Sequence, residues 1–113
     1  GLWCLPGGFI RYGEAPKAAA ARETQEEVGA ATTIGNVIHV GMLDYAYRGR
    51  RVCVLEVAFS ARLIGSPPAA GVETAEASAV AFLPYSELLA SPQNLSFPEH
   101  MNVLNAYAAS IAR

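Results

Sequence analysis

Four of the ten acidic residues in this 113-residue chain, Glu14, Glu23, Glu26 and Glu27, fall in one short segment that also holds Arg22. On a helix turning about 100° per residue, Glu23, Glu26 and Glu27 share an arc of about 100°, because positions three and four apart lie on one face. Local physics opposes this patch. Like charges at those spacings repel, and the patch sits in the C-terminal half of the segment, where the helix dipole disfavours anions. One reading is a solvated acidic face in which Arg22 pairs with Glu26 one turn away. The other is a site for a hard divalent cation. Mg²⁺ binds through a few carboxylates together with substrate phosphates and turns mutual repulsion into coordination.

The elements that must position these groups follow from the punctuation of the sequence. Leu2 to Leu5 reads as a short strand stopped by Pro6-Gly7-Gly8, and a loop runs on to Glu14. A helix is predicted over residues 15 to 28, with Pro16 in its first turn and Gly29 at its C-terminal cap; Ala18, Ala21 and Val28 are expected to pack on a sheet opposite the acids. Asn36 to Tyr47 and Arg51 to Leu63 read as strands joined at Gly49 into a hairpin with a basic tip. The stretch from Gly65 to Ser78 reads as a long loop, Ala79 to Leu83 as a strand, and Ser86 to Ala90 as a helical turn. A last helix is expected from near Pro98, with Met101, Leu104, Ala108 and Ile111 facing the core. Mixed strands and helices without repeats indicate a layered α/β or α+β sandwich.

With the elements placed, the run from Gly8 to Ala30 resembles the Nudix box, G-x5-E-x7-R-E-U-x-E-E-x-G-U, where U is a bulky aliphatic residue. Gly8, Glu14, Arg22, Glu23, Glu26, Glu27 and Gly29 all match at the required spacing. Chance agreement at a given register is on the order of 10⁻⁸ for average residue usage. Thr24 and Ala30 depart from the aliphatic preference, both at packing positions, and Arg11 stands where many members carry Glu. The resemblance implies a Nudix-type α/β/α sandwich with a mixed sheet, spanning residues 1–113 as one hydrolase domain. Because that fold places two or more strands before the box, the domain is expected to be incomplete at its N-terminus, the missing strands coming from a longer parent chain or from a neighbouring subunit in a homodimer.

Function is implied by the same resemblance. Glu23, Glu26 and Glu27, helped by the Gly7 carbonyl, are expected to bind Mg²⁺ or Mn²⁺, with Glu26 and Glu27 catalytic. Arg22 joins the catalytic set and, with Glu14, orients helix and loop; Gly8 and Gly29 support the structure. A later acid, Glu76 in preference to Glu73, is expected to assist catalysis. The reaction would be water attack on phosphorus in a nucleoside diphosphate linked to another moiety. Tyr47, which lies 17 residues past Ala30, resembles a marker of dinucleoside polyphosphate hydrolysis. The runs Trp3 to Phe9 and Leu95 to His100 are similar to members acting on ADP-ribose, FAD or NADH-like pyrophosphates. Tyr47, Arg50 and Phe97 are the candidate substrate contacts, while His100 reads as a surface residue of the last helix. The alternatives are a nucleoside triphosphate pyrophosphohydrolase and a non-catalytic nucleotide sensor.

Composition bounds these readings. At 52% hydrophobic and 16% charged the chain is globular in type, with no apolar run near the ~20 residues that span a bilayer. A net charge of −2 supplies no basic footprint for long nucleic acid. The expected partner is a small nucleotide-derived molecule, and the expected location is the cytoplasm. Cys4 and Cys53 read as buried thiols, since neither has a partner at zinc-ligand spacing.

Overall fold

The computed structural model describes residues 2–67 and 80–112. The first helix, α1, spans Pro16–Val28. Its alanine run has the best helix propensity available, Pro16 occupies the first turn where its missing N–H costs nothing, and Gly29 closes the helix at φ 75°, its amide donating to the Gln25 carbonyl at 3.0 Å. Strand β1 covers Thr32–Tyr47 and β2 covers Arg50–Leu63, beginning four residues and one residue earlier than expected from pattern. They form a two-stranded sheet. The connection is the two residues Arg48 and Gly49, both with positive φ (50° and 75°), which is the turn whose twist matches that of paired strands. Arg48 offsets its uncommon backbone by lying over the Tyr47 ring, 5.3 Å from the centroid. Helix α2 spans Tyr85–Ala90, a 3₁₀ turn covers Pro92–Asn94, and α3 spans His100–Ile111.

Two compact units emerge. The first contains Gly1–Cys4, Val37–Ala58 and Tyr85–Arg113. Here Leu43, Leu95, Val103 and Leu104 are buried. Tyr45 stacks on Phe97, and Tyr85 meets Tyr107 edge-on between α2 and α3. Exposure alternates along this part of the hairpin: Val40, Met42, Cys53, Leu55 and Val57 are exposed, whereas Leu43, Val52, Val54 and Glu56 are covered. One sheet face is thus covered within the unit. The second unit contains Leu5–Asn36 and Phe59–Pro84, and its buried residues are Ala19, Ala30 and Val80.

Several expectations are corrected. Leu2 to Leu5 is not a continuous strand; Trp3 forms an isolated parallel bridge to Leu95 with hydrogen bonds of 2.7 and 2.8 Å. Residues 81–84 have no regular secondary structure and Phe82 and Leu83 are exposed, so the described part of the expected strand at 79–83 shows a bridge at Val80 and no ladder. Ala19 rather than Ala18 is buried on α1, because the acidic arc and its loop partners set the rotation of the helix. On α3 the buried side chains are His100, Val103 and Leu104, while Ile111 is half exposed at the end of the helix. Both cysteines are exposed, Cys53 because it lies on the uncovered face of the hairpin. No helix among the described residues is long and apolar enough to cross a membrane.

Candidate active site

The acidic face of α1 is met by the loop that precedes it, within the second unit. The loop closes on itself at Arg11 to Glu14: the Glu14 N–H donates to the Arg11 carbonyl, and the Arg11 N–H donates to Glu14 Oε1, both at 3.0 Å. Gly13 makes that turn possible at φ 79°, a conformation that side-chain-bearing residues rarely adopt. Glu14 then faces Arg22 on the helix.

Arg22 is the hub of the cluster. Its Nε and Nη2 donate to the two Glu14 oxygens at 2.8 and 2.9 Å, a two-point fork, and Nη1 donates to Glu23 at 2.7 Å and Glu26 at 3.2 Å. Nη2 also donates to the Phe9 carbonyl at 3.2 Å. A guanidinium has five N–H donors, so these five bonds use its whole capacity on the protein. The hydrogen bond from Arg22, reinforced by the Arg11 amide, holds the Glu14 carboxyl far below its usual range, at about 2. Glu14 and then Glu23 push the Arg22 guanidinium in the opposite direction, further above its ordinary value.

The remaining contacts bind loop to helix. The Gly7 N–H donates to Glu27 Oε1 at 2.8 Å. At Gly8 the approach is closer still: a Cβ there would lie 2.5 Å from Glu23 Cδ and 2.6 and 2.7 Å from its two oxygens. Only glycine leaves room for that carboxylate. Arg11 reaches Glu26 Oε1 at 3.4 Å. Thr24, at a position where an aliphatic residue is expected, satisfies its hydroxyl by donating to the Ala20 carbonyl at 2.7 Å, and Ala30 is buried as a packing residue.

The structure therefore brings Gly7, Gly8, Glu14, Arg22, Glu23, Glu26 and Glu27 together. Glu14, Glu23 and Glu26 share two guanidiniums, and Glu27 joins Glu23 and Glu26 as the third carboxylate on the helical arc. Their chemistry suits a hard divalent cation: all are carboxylate oxygens, with Glu26 the most exposed of the three bound to Arg22 at 33%. As arranged, no group of three or more His, Cys, Asp or Glu among the described residues is poised to hold a metal ion. Glu23 and Glu26 turn their oxygens to arginine instead. The late acids Glu73 and Glu76 lie outside the described residues.

The candidate substrate contacts belong to the other unit. Tyr45 links two of them, with its ring 6.5 Å from Tyr47 and 5.9 Å from Phe97, the latter at an interplanar angle of 17°. Arg50 is exposed at the start of β2. His100, expected at the surface, is 4% exposed, with Nε2 3.0 Å from Glu56 Oε2 and the ring 5.3 Å from that of Phe97. Sequence reading missed this pair, since no local signal connects residues 44 positions apart. It also missed the bond from Arg11 to Glu26, although an arginine three residues before Glu14 was a visible hint. Compared with known families, the chain matches the NUDIX domain over residues 1–103. No curated protein matches it.

Proposed function

The chain belongs to the Nudix family, whose members hydrolyse pyrophosphate bonds in nucleoside diphosphate derivatives, and from that premise we propose a divalent-metal-dependent hydrolase of a nucleoside diphosphate linked to a second moiety. ADP-ribose, FAD or NADH-like pyrophosphates and dinucleoside polyphosphates are the substrate classes to test. Glu23, Glu26, Glu27 and the Gly7 carbonyl would hold Mg²⁺ or Mn²⁺. Bound there, the cation would neutralise charge on the diphosphate and make a water more acidic. The observation that supports this reading best is the close seating of the loop on the acidic helix face, with Gly8 leaving room only for the Glu23 carboxylate.

The roles of the chain's own groups follow. Arg22, with all five donors spent on the protein, is a positioning residue that holds Glu14, Glu23 and Glu26 in register with the loop. Glu14 stays ionised across the physiological range and so keeps that fork closed. Glu26 and Glu27 are the carboxylates that would act nearest the reaction, Glu27 already tied to the loop at Gly7. Tyr47, Arg50 and Phe97 are proposed to contact the nucleotide, through ring stacking for the aromatics and phosphate pairing for Arg50. Glu76 is proposed as a later acid, and the cytoplasm as the site of action.

Turnover of a panel comprising ADP-ribose, FAD, NADH, diadenosine polyphosphates and nucleoside triphosphates tests the reading, with product phosphate released by added phosphatase. Hydrolysis of at least one diphosphate-linked compound with Mg²⁺, abolished by EDTA and restored by Mn²⁺, is expected. Turnover that persists unchanged in EDTA, or nucleotide binding without turnover, would overturn it.

A further inference from the structure

Among the described residues two arginines reach the acidic face of α1, and they are held in opposite ways. Arg22 is saturated. Arg11 makes one side-chain hydrogen bond among the described residues, to Glu26 Oε1 at 3.4 Å, near the long limit for such a contact, and its side chain is 66% exposed. Its backbone, by contrast, is fixed on both sides by Glu14, through the Arg11 N–H and the Arg11 carbonyl at 3.0 Å each. The result is an extended arm on a fixed base, with most of its five donors unspent.

The partner of that arm matters. Glu26 is shared: Oε2 accepts from Arg22 at 3.2 Å and Oε1 from Arg11. If Glu26 held a divalent cation, Arg11 would share that carboxylate with a second positive charge and be repelled from it. A diphosphate arriving at this edge meets carboxylates in excess, and Arg11 carries the guanidinium here with donors to spare. Its planar fork matches phosphate oxygens, whereas a saturated Arg22 offers them nothing.

We propose that Arg11 is a substrate-binding residue that neutralises Glu26 in the metal-free protein and transfers its guanidinium to the diphosphate of the substrate once Glu26 is engaged by a divalent cation. This rests on the functional reading above. The loop turn sets where the arm begins, the weak hold on Glu26 lets it leave, and the exposed position gives the phosphate access. Arg11 thereby couples metal occupancy to substrate affinity.

The test compares wild-type protein with Arg11→Gln and Arg11→Lys in two titrations, Mn²⁺ alone followed by paramagnetic resonance, and α,β-methylene-ADP in saturating Mn²⁺ followed by calorimetry. Arg11→Gln should bind Mn²⁺ about two- to fivefold more tightly, the range of a screened surface pair, and bind the analogue about tenfold more weakly, with an unchanged thermal melt. Arg11→Lys should keep the wild-type Mn²⁺ affinity, because the charge remains, and recover only part of the analogue binding, because the fork is gone. Unchanged or weaker Mn²⁺ binding in Arg11→Gln, or unchanged analogue binding, overturns the role of Arg11 and leaves the functional reading standing. Wild-type protein that binds no Mn²⁺ overturns both.

Discussion

Replacing Gly8 by alanine separates site geometry from fold stability. The added methyl would sit 2.5 Å from Glu23 Cδ, while carbon atoms in contact rest about 3.5–4.0 Å apart, so the carboxylate must retreat by about 1 Å. The obstacle is the end of a flexible side chain rather than backbone, so the protein can yield by rotating Glu23 away from Arg22, which it meets at 2.7 Å. The thermal midpoint should therefore move by less than about 5 °C. Function is less tolerant: a misplacement of about 1 Å in a positioned group can lower turnover by about 10²-fold, and Mn²⁺ affinity should fall about 10- to 100-fold. Steady-state hydrolysis of the best panel substrate, Mn²⁺ titration and a thermal melt measure the three quantities. A double-mutant cycle with Glu23→Ala completes the test, because once the side chain beyond Cβ is gone the methyl has nothing left to displace. Gly8→Ala should then add almost nothing. Retention of more than half the activity, or fully additive losses with Glu23→Ala, would refute the argument.

The other expectations concern charge and burial. Glu26→Gln and Glu27→Gln should each lower turnover by orders of magnitude while leaving apo stability unchanged or slightly raised, since each relieves like-charge repulsion; paired losses of several kcal/mol in urea unfolding would instead make them structural. Because the folded pKa of Glu14 is depressed from 4.5 to about 2, its stabilising contribution is complete above about pH 4.5 and is lost as pH falls toward 2. The difference in thermal midpoint between wild type and Glu14→Gln should shrink across that window, and a difference constant down to pH 2 would contradict it. His100→Ala, which removes a buried ring and strands Glu56, should cost about 2–4 kcal/mol in urea unfolding, whereas Glu56→Gln, which keeps a hydrogen-bonding partner, should cost less than about 1.5 kcal/mol. Equal losses in the two variants would show that the Glu56 carboxylate, rather than the packing of the ring, carries the contribution of the pair.

The sequence by itself determined whatever depends on spacing along one element. Periodicity of 3.6 residues placed Glu23, Glu26 and Glu27 on one arc, Pro16 and Gly29 bounded α1, and a glycine between two arginines marked the hairpin turn. The same regularity made the Nudix box legible, and with it the family. Only the tertiary structure decided which partner each charged group took. Whether Glu26 met Arg22 alone or Arg11 as well depended on how the loop folded back over the helix, a contact across 15 positions that no local pattern encodes. Gly8 read as a matched position in the box, yet its physical requirement, a carboxylate occupying the space of a Cβ, appeared only once loop and helix met. His100 was misjudged for the same reason, since a polar residue in a first helical turn is ordinarily solvated unless a distant acid, here Glu56 on β2, compensates its burial. The short apolar runs at Leu2 to Leu5 and Ala79 to Leu83 read as strands because apolar β-formers carry that preference locally. A ladder needs a neighbour with unspent hydrogen-bonding groups, and that is a property of the fold rather than of the segment.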